Sequence, residues 1–108
     1  GMEINQYQVV IARLDPTVGS ELKKTRPCVA ISPNELNRVL RTVVIAPFTS
    51  NLNDYPTRIK VIFQGRESRI AIDQIRTVDK QRILSVAGNL SYGEVRNIKS
   101  VIHRTFVF

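Results

Sequence analysis

A chain of 108 residues in which 16 Lys and Arg face 9 Asp and Glu, for a net charge of +7, is expected to form one domain over residues 1–108 with room for one modest hydrophobic core. A hydrophobic share of 43% excludes long disorder, and basic residues scattered from Arg13 to Arg104 exclude a basic tail, so a folded basic face is implied, with nucleic acid the first choice of anionic partner. Cys28, the single cysteine, excludes an internal disulfide, and no apolar run approaches the roughly 18 residues of a membrane span, so a reducing, cytoplasmic setting and no membrane partner are expected.

In chain order, Gln8 to Leu14 carries Val9, Val10, Ile11, Ala12 and Leu14 and stops at Asp15-Pro16, a pair that ends a strand and opens a turn. The polar stretch 15–25 reads as a functional loop. Arg26-Pro27 leads into Cys28-Val29-Ala30-Ile31, a second strand whose proline must stand at its first residue or on an edge, because it has no N–H for the ladder. Ser32-Pro33-Asn34-Glu35 offers a capping residue, proline at the first helical position and Glu three residues after the cap, which predicts one helical turn. Thr42 to Phe48 reads as a buried strand through Val43, Val44, Ile45 and Ala46.

Ile59, Val61 and Phe63 alternate with Arg58 and Lys60 at the period of a half-exposed strand. Gln64-Gly65-Arg66 is a turn, and Ser68 to Ile72 completes an antiparallel hairpin. Strands this short and closely spaced predict a small barrel or strongly coiled sheet. The period then changes. Ser91-Tyr92-Gly93-Glu94 is a capping box, Leu90 and Val95 occupy the positions of a hydrophobic staple, and Val95, Ile98, Val101, Ile102 and Phe106 form the apolar stripe of one helix packed on the sheet.

Four blocks taken in order resemble the MazF/PemK toxins: Leu14-Asp15-Pro16-Thr17-Val18-Gly19-Ser20-Glu21, Lys24-Thr25-Arg26-Pro27-Cys28-Val29, Ala46-Pro47-Phe48-Thr49-Ser50, and Asp73-Gln74-Ile75-Arg76-Thr77-Val78-Asp79-Lys80. The resemblance runs from about Val9 to Phe106. It implies a mainly β fold with α: a coiled antiparallel sheet of the SH3-like barrel type, as in MazF and CcdB, with a C-terminal helix and pairing into a homodimer. It also implies a type II toxin that cuts single-stranded mRNA at short sequences without metal or other cofactor, is restrained by a small acidic antitoxin, and meets DNA only indirectly through that antitoxin. The chain departs from the family where Tyr7-Gln8 stand in place of Gly-Asp or Gly-Glu, where Arg13 replaces an acidic residue, and where Leu22 replaces Gln.

A metal-free ribonuclease turns the 2′-hydroxyl on the adjacent phosphate, so it must stabilise a doubly charged phosphorane and protonate the departing 5′-oxygen. Arginine offers a permanently charged planar fork matched to two phosphate oxygens, and Arg26 is the first choice for that role. Thr49, at a strand end, suits bonding a phosphate oxygen or orienting the 2′-hydroxyl; Asp73 suits accepting its proton. Contacts to RNA are expected from Ser20, Glu21, Lys23 and Lys24 in the long loop, from Ser50, and from Gln74 reading a base edge. Arg76 joins them as a phosphate ligand, with Asp73 or Asp79 as its alternative partner. Stacking would fall on Tyr55, Phe48 or Tyr7. His103 is the only histidine, which rules out a two-histidine scheme within one chain, and Cys28 reads as a small buried strand residue rather than a nucleophile. No grouping has metal-ligand spacing. The competing functions are a gyrase poison resembling CcdB, weakened by the absence of Trp and the ending Thr105-Phe106-Val107-Phe108, and a non-catalytic relative that binds the antitoxin.

Overall fold

Continuous apolar runs such as Val9-Val10, Val29-Ala30 and Ile45-Ala46 can be stable strands only if both faces of the sheet are covered, and that is how the chain is built. The computed structural model describes residues 2–14 and 25–107. Its strands are β1 (Gln8–Arg13), β2 (Thr25–Ala30), β3 (Thr42–Thr49), β4 (Arg58–Phe63), β5 (Arg66–Ala71), β6 (Arg76–Asp79) and β7 (Ile83–Asn89), with helices α1 (Asn34–Val39) and α2 (Tyr92–Phe106). The sheet runs β4-β5-β3-β2-β1-β7, and β6 also pairs with β3; every pairing is antiparallel. β3 is the hinge of this arrangement, since its start pairs with β6 and its end with β5. Register shifts between β1 and β7 add further twist.

Side chains alternate into two cores. Val9, Val29, Ala46, Phe48, Ile59, Val61 and Ile70 face the helix α2, whose Ile98 and Val101 are buried with them. Val10, Ala12, Cys28, Ala30, Val43 and Ile45 face the other way, beneath Ile4, Val78 and Ile83. The coiled antiparallel sheet with a C-terminal helix therefore stands as read from sequence. The α2 capping box is also present, Ser91 Oγ accepting from Glu94 N and Glu94 Oε1 from Ser91 N. Phe106 is the exception to the stripe: it is 52% exposed.

Two local expectations are corrected. Ser32 does not cap α1. Its hydroxyl donates to Asn37 Oδ1 and accepts from Val44 N, because the buried Asn37 needs a partner, and Pro33 takes the N-cap position of a six-residue helix without a side-chain cap bond. Pro27 is neither the first residue of its strand nor on an edge strand: it is the third residue of β2, opposite Ile11. The position tolerates proline because β3 pairs with β2 only from Cys28 onward, which leaves Pro27 a neighbour on one side alone. β6 and β7 carry no clear alternation, so their sequence alone does not mark them as strands.

Tyr7 holds φ 68, a left-handed backbone that suits glycine best. Its N–H donates to Ala30 O at 2.7 Å, and its ring packs on the α2-side core with Lys99 Nζ 5.8 Å from the centroid. No helix among the described residues is long and apolar enough to cross a membrane.

Candidate functional site

β2 and β3 run side by side, and where their paired stretch ends, Arg26 and Thr49 are left at the mouth of one cleft. The cleft holds about 470 Å³ and is lined by Arg26, Thr49 and Ser50 together with Gln64, Arg66, Glu67 and Ser68 from the tip of the β4–β5 hairpin. A cavity of that size suits a segment of an extended polymer. Its floor is apolar: Phe48 and Phe63 meet edge to face with centroids 5.8 Å apart, alongside Ile11 and Pro27.

Arg26 is exposed, and the proline after it favours extended backbone. One of its nitrogens, Nη1, donates to Phe48 O at 3.0 Å, which aims the guanidinium along the end of β3 and leaves its other N–H groups for a ligand. Thr49 Oγ1 accepts from Asn51 N at 3.1 Å, so the hydroxyl oxygen is fixed while its proton is available to donate. Ser68 Oγ donates to Thr49 O at 2.9 Å and ties β5 to the same strand end.

Asp73 lies elsewhere. It accepts from Thr57 Oγ1 at 2.8 Å and from Arg58 Nε and Nη2 at 2.8 and 3.2 Å, and it is not among the residues lining the cleft. The Arg58 guanidinium holds its carboxyl below the usual range, with Thr57 assisting, and the pairing in turn raises Arg58. A carboxylate so occupied suits anchoring the start of β4 to the turn after β5 better than taking a proton. Gln74 and Arg76 are exposed and also outside the cleft lining. Among the described residues Arg76 pairs with neither Asp73 nor Asp79, although its charge, with that of Arg26, acts on the Cys28 thiol. Ser20, Glu21, Lys23 and Lys24, like Leu22, fall outside the described residues.

Cys28 is fully buried and its thiol is pushed up to about 12 by desolvation, against the pull of Arg26 and Arg76, which removes it as a nucleophile. His103 is exposed on α2. Phe48 is only 3% exposed and serves as packing, and Tyr7 is half-buried, whereas Tyr55 is exposed with Arg58 Cζ 5.2 Å from its ring centroid. Among the described residues no three His, Cys, Asp or Glu are grouped to hold a metal ion.

Sequence reasoning missed the hairpin wall: Gln64, Arg66, Glu67 and Ser68 read only as turn and strand. The one available signal was a two-residue turn flanked by charge, which says nothing about what the turn faces.

The family of PemK-like, MazF-like toxins of type II toxin-antitoxin systems matches residues 5–106. The chain is similar to the Endoribonuclease EndoA of Bacillus subtilis (strain 168), 34% identical over 88 residues that make up 76% of each chain. Its fold is that of MazF from Deinococcus radiodurans, with a TM-score of 0.83, 18% identity and 100% of both chains covered. A MazE-MazF structure from Deinococcus radiodurans aligns with a TM-score of 0.77 at 20% identity, covering 96% of this chain and 93% of that one.

Proposed function

The chain belongs to the family of PemK-like, MazF-like toxins of type II toxin-antitoxin systems, and from that premise we propose that its cleft is the active site of an endoribonuclease acting on single-stranded RNA. The similarity to an endoribonuclease at 34% identity supports the activity. The observation that carries the site is the convergence of Arg26 and Thr49, from different strands, on one cleft.

In this reading the 2′-hydroxyl gives up its proton as it attacks the adjacent phosphorus, the bond to the 5′-oxygen breaks and that oxygen takes up a proton, so that a 2′,3′-cyclic phosphate and a 5′-hydroxyl result. Arg26 neutralises the phosphorane with the N–H groups not engaged by Phe48 O. Thr49, its oxygen held by Asn51 N, donates to a phosphate oxygen. Ser50 extends the same wall, Gln74 and Arg76 contact RNA beyond the cleft, and Ser20, Glu21, Lys23 and Lys24 contribute from the segment that precedes β2 in the sequence. Metal has no part in this chemistry.

Two partners complete the proposal. The chain pairs with a second copy of itself, and an acidic antitoxin binds its +7 surface; the MazE-MazF structure of the same fold supports the second.

Mapping the ends of fragments from a mixed-sequence RNA in chelator tests the reading. Wild type is expected to leave cyclic phosphate ends at a short recurring sequence, and Arg26→Ala to lose about 100- to 1000-fold in rate, as when a charge-stabilising donor is removed. Intact RNA at stoichiometric wild-type protein would overturn it.

A further inference from the structure

We infer that Arg66 grips the phosphate next to the one that is cleaved, so that the tip of the β4–β5 hairpin sets the path of the RNA through the cleft. The inference rests on the ribonuclease reading above.

Arg66 lines the same cleft as Arg26 and Thr49 and is exposed there, and it makes no ion pair or side-chain hydrogen bond among the described residues. The hairpin's other cations each have an acidic partner, Arg58 in Asp73. Arg69, 7% exposed, donates to Glu67 Oε2 at 2.8 Å and to Asp54 Oδ1 at 3.2 Å, and Lys60 Nζ stands 3.9 Å from Glu67 Oε1. Glu67 also lines the cleft, but two cations already balance its charge. Among the described residues Arg66 is thus the hairpin's cation without an acidic partner, open to an anionic ligand.

Its backbone is held in place. Gln64 and Gly65 hold φ 52 and φ 77, consecutive left-handed residues that make the two-residue turn matched to strand twist. Phe63, directly opposite Arg66, has its ring against Phe48. Strand alternation puts Arg66 on the same face of β5 as Ser68, which lines the same cleft and whose hydroxyl bonds Thr49 O.

The offset decides which phosphate it meets. Arg69 is the residue opposite Thr49, and Arg66 lies three residues further along β5, about 10 Å at strand rise. Arg26 and Thr49 already share the near end, so a cation displaced by that distance addresses a neighbouring phosphate rather than the same one.

The test uses an oligonucleotide carrying the mapped cleavage sequence with a 2′-deoxy residue at the cut, which binds without being cleaved. Arg66→Gln is expected to weaken binding about 3- to 10-fold at low salt and to flatten the slope of log affinity against log salt by about 0.7, the share of one single-strand phosphate. Arg66→Lys should restore the slope. With cleavable RNA at saturation, the rate of Arg66→Gln should stay within about 3-fold of wild type. Replacing the neighbouring phosphates one at a time by neutral methylphosphonate should cost wild type affinity at one position and cost Arg66→Gln nothing there.

An unchanged salt slope in a folded Arg66→Gln, or equal methylphosphonate losses in both proteins, would overturn the inference. So would a rate at saturation lowered about 100-fold with binding intact, which would assign Arg66 to the cleaved phosphate. Wild-type protein that neither binds nor cuts RNA would sink the ribonuclease reading and this inference together, whereas an active wild type with an indifferent Arg66 would sink the inference alone.

Discussion

Asp73→Asn separates a catalytic from an anchoring carboxylate, because the amide keeps the shape of the side chain and discards its charge. Asn can still accept from Thr57 Oγ1 through its oxygen, but its NH₂ group would then face Arg58 Nη2, now 3.2 Å from Asp73 Oδ2, donor against donor. Exposed ion pairs are worth about 0.2–1 kcal/mol and hydrogen bonds to charged groups about 1.5–3. Here the Arg58 side chain is 11% exposed but that of Asp73 is 37%, and the water reaching Asp73 screens the pair, so a loss of about 1 kcal/mol follows. In a chain of this size that lowers Tm by about 4–8 °C.

The loss should depend on pH. Arg58 depresses the folded-state pKa of Asp73, so the carboxylate stabilises the fold at and above its unfolded value of about 3.9 and stops doing so as pH falls through its lower folded value. Thermal melts of wild type and Asp73→Asn should therefore differ at neutral pH and converge in acid. The rate of RNA cleavage in chelator should stay within about 3-fold of wild type, whereas loss of a general base costs about 100- to 10,000-fold. A 100-fold slower enzyme with an unchanged Tm would refute the anchoring role and return Asp73 to the chemistry.

Cys28, with its thiol pushed up to about 12, should resist iodoacetamide at pH 8 in the native protein and react on addition of denaturant; rapid native alkylation would contradict its burial. Ile98→Ala removes the fully buried contact of α2 with the sheet and should cost about 2–5 kcal/mol in denaturant unfolding, with a smaller loss meaning that the helix repacks. Gly65→Ala meets no atom within 4 Å, so its cost should be only that of a left-handed alanine, about 1–2 kcal/mol, and Gly65→Asn should cost less.

Sequence alone reached those features whose cause is local. The α2 capping box is a contest among residues three apart, and the turn read at Gln64-Gly65-Arg66 is present at Gln64-Gly65, although Arg66 already opens β5. The apolar runs of β1, β2 and β3 marked strands wherever a face was buried, and the four motif blocks carried the family. Other features were decided by partners far along the chain. Ser32 left its expected cap for Asn37 and Val44. Pro27 fits mid-strand because β3 begins to pair one residue later. Asp73 is held by Arg58, 15 residues away, and Arg66 faces a cleft whose other wall comes from β2 and β3. A residue type states what a side chain can donate, accept or bury; which of those it does depends on the group that the fold brings within about 3 Å, since hydrogen bonds act only at contact and bare charges are screened by water beyond it.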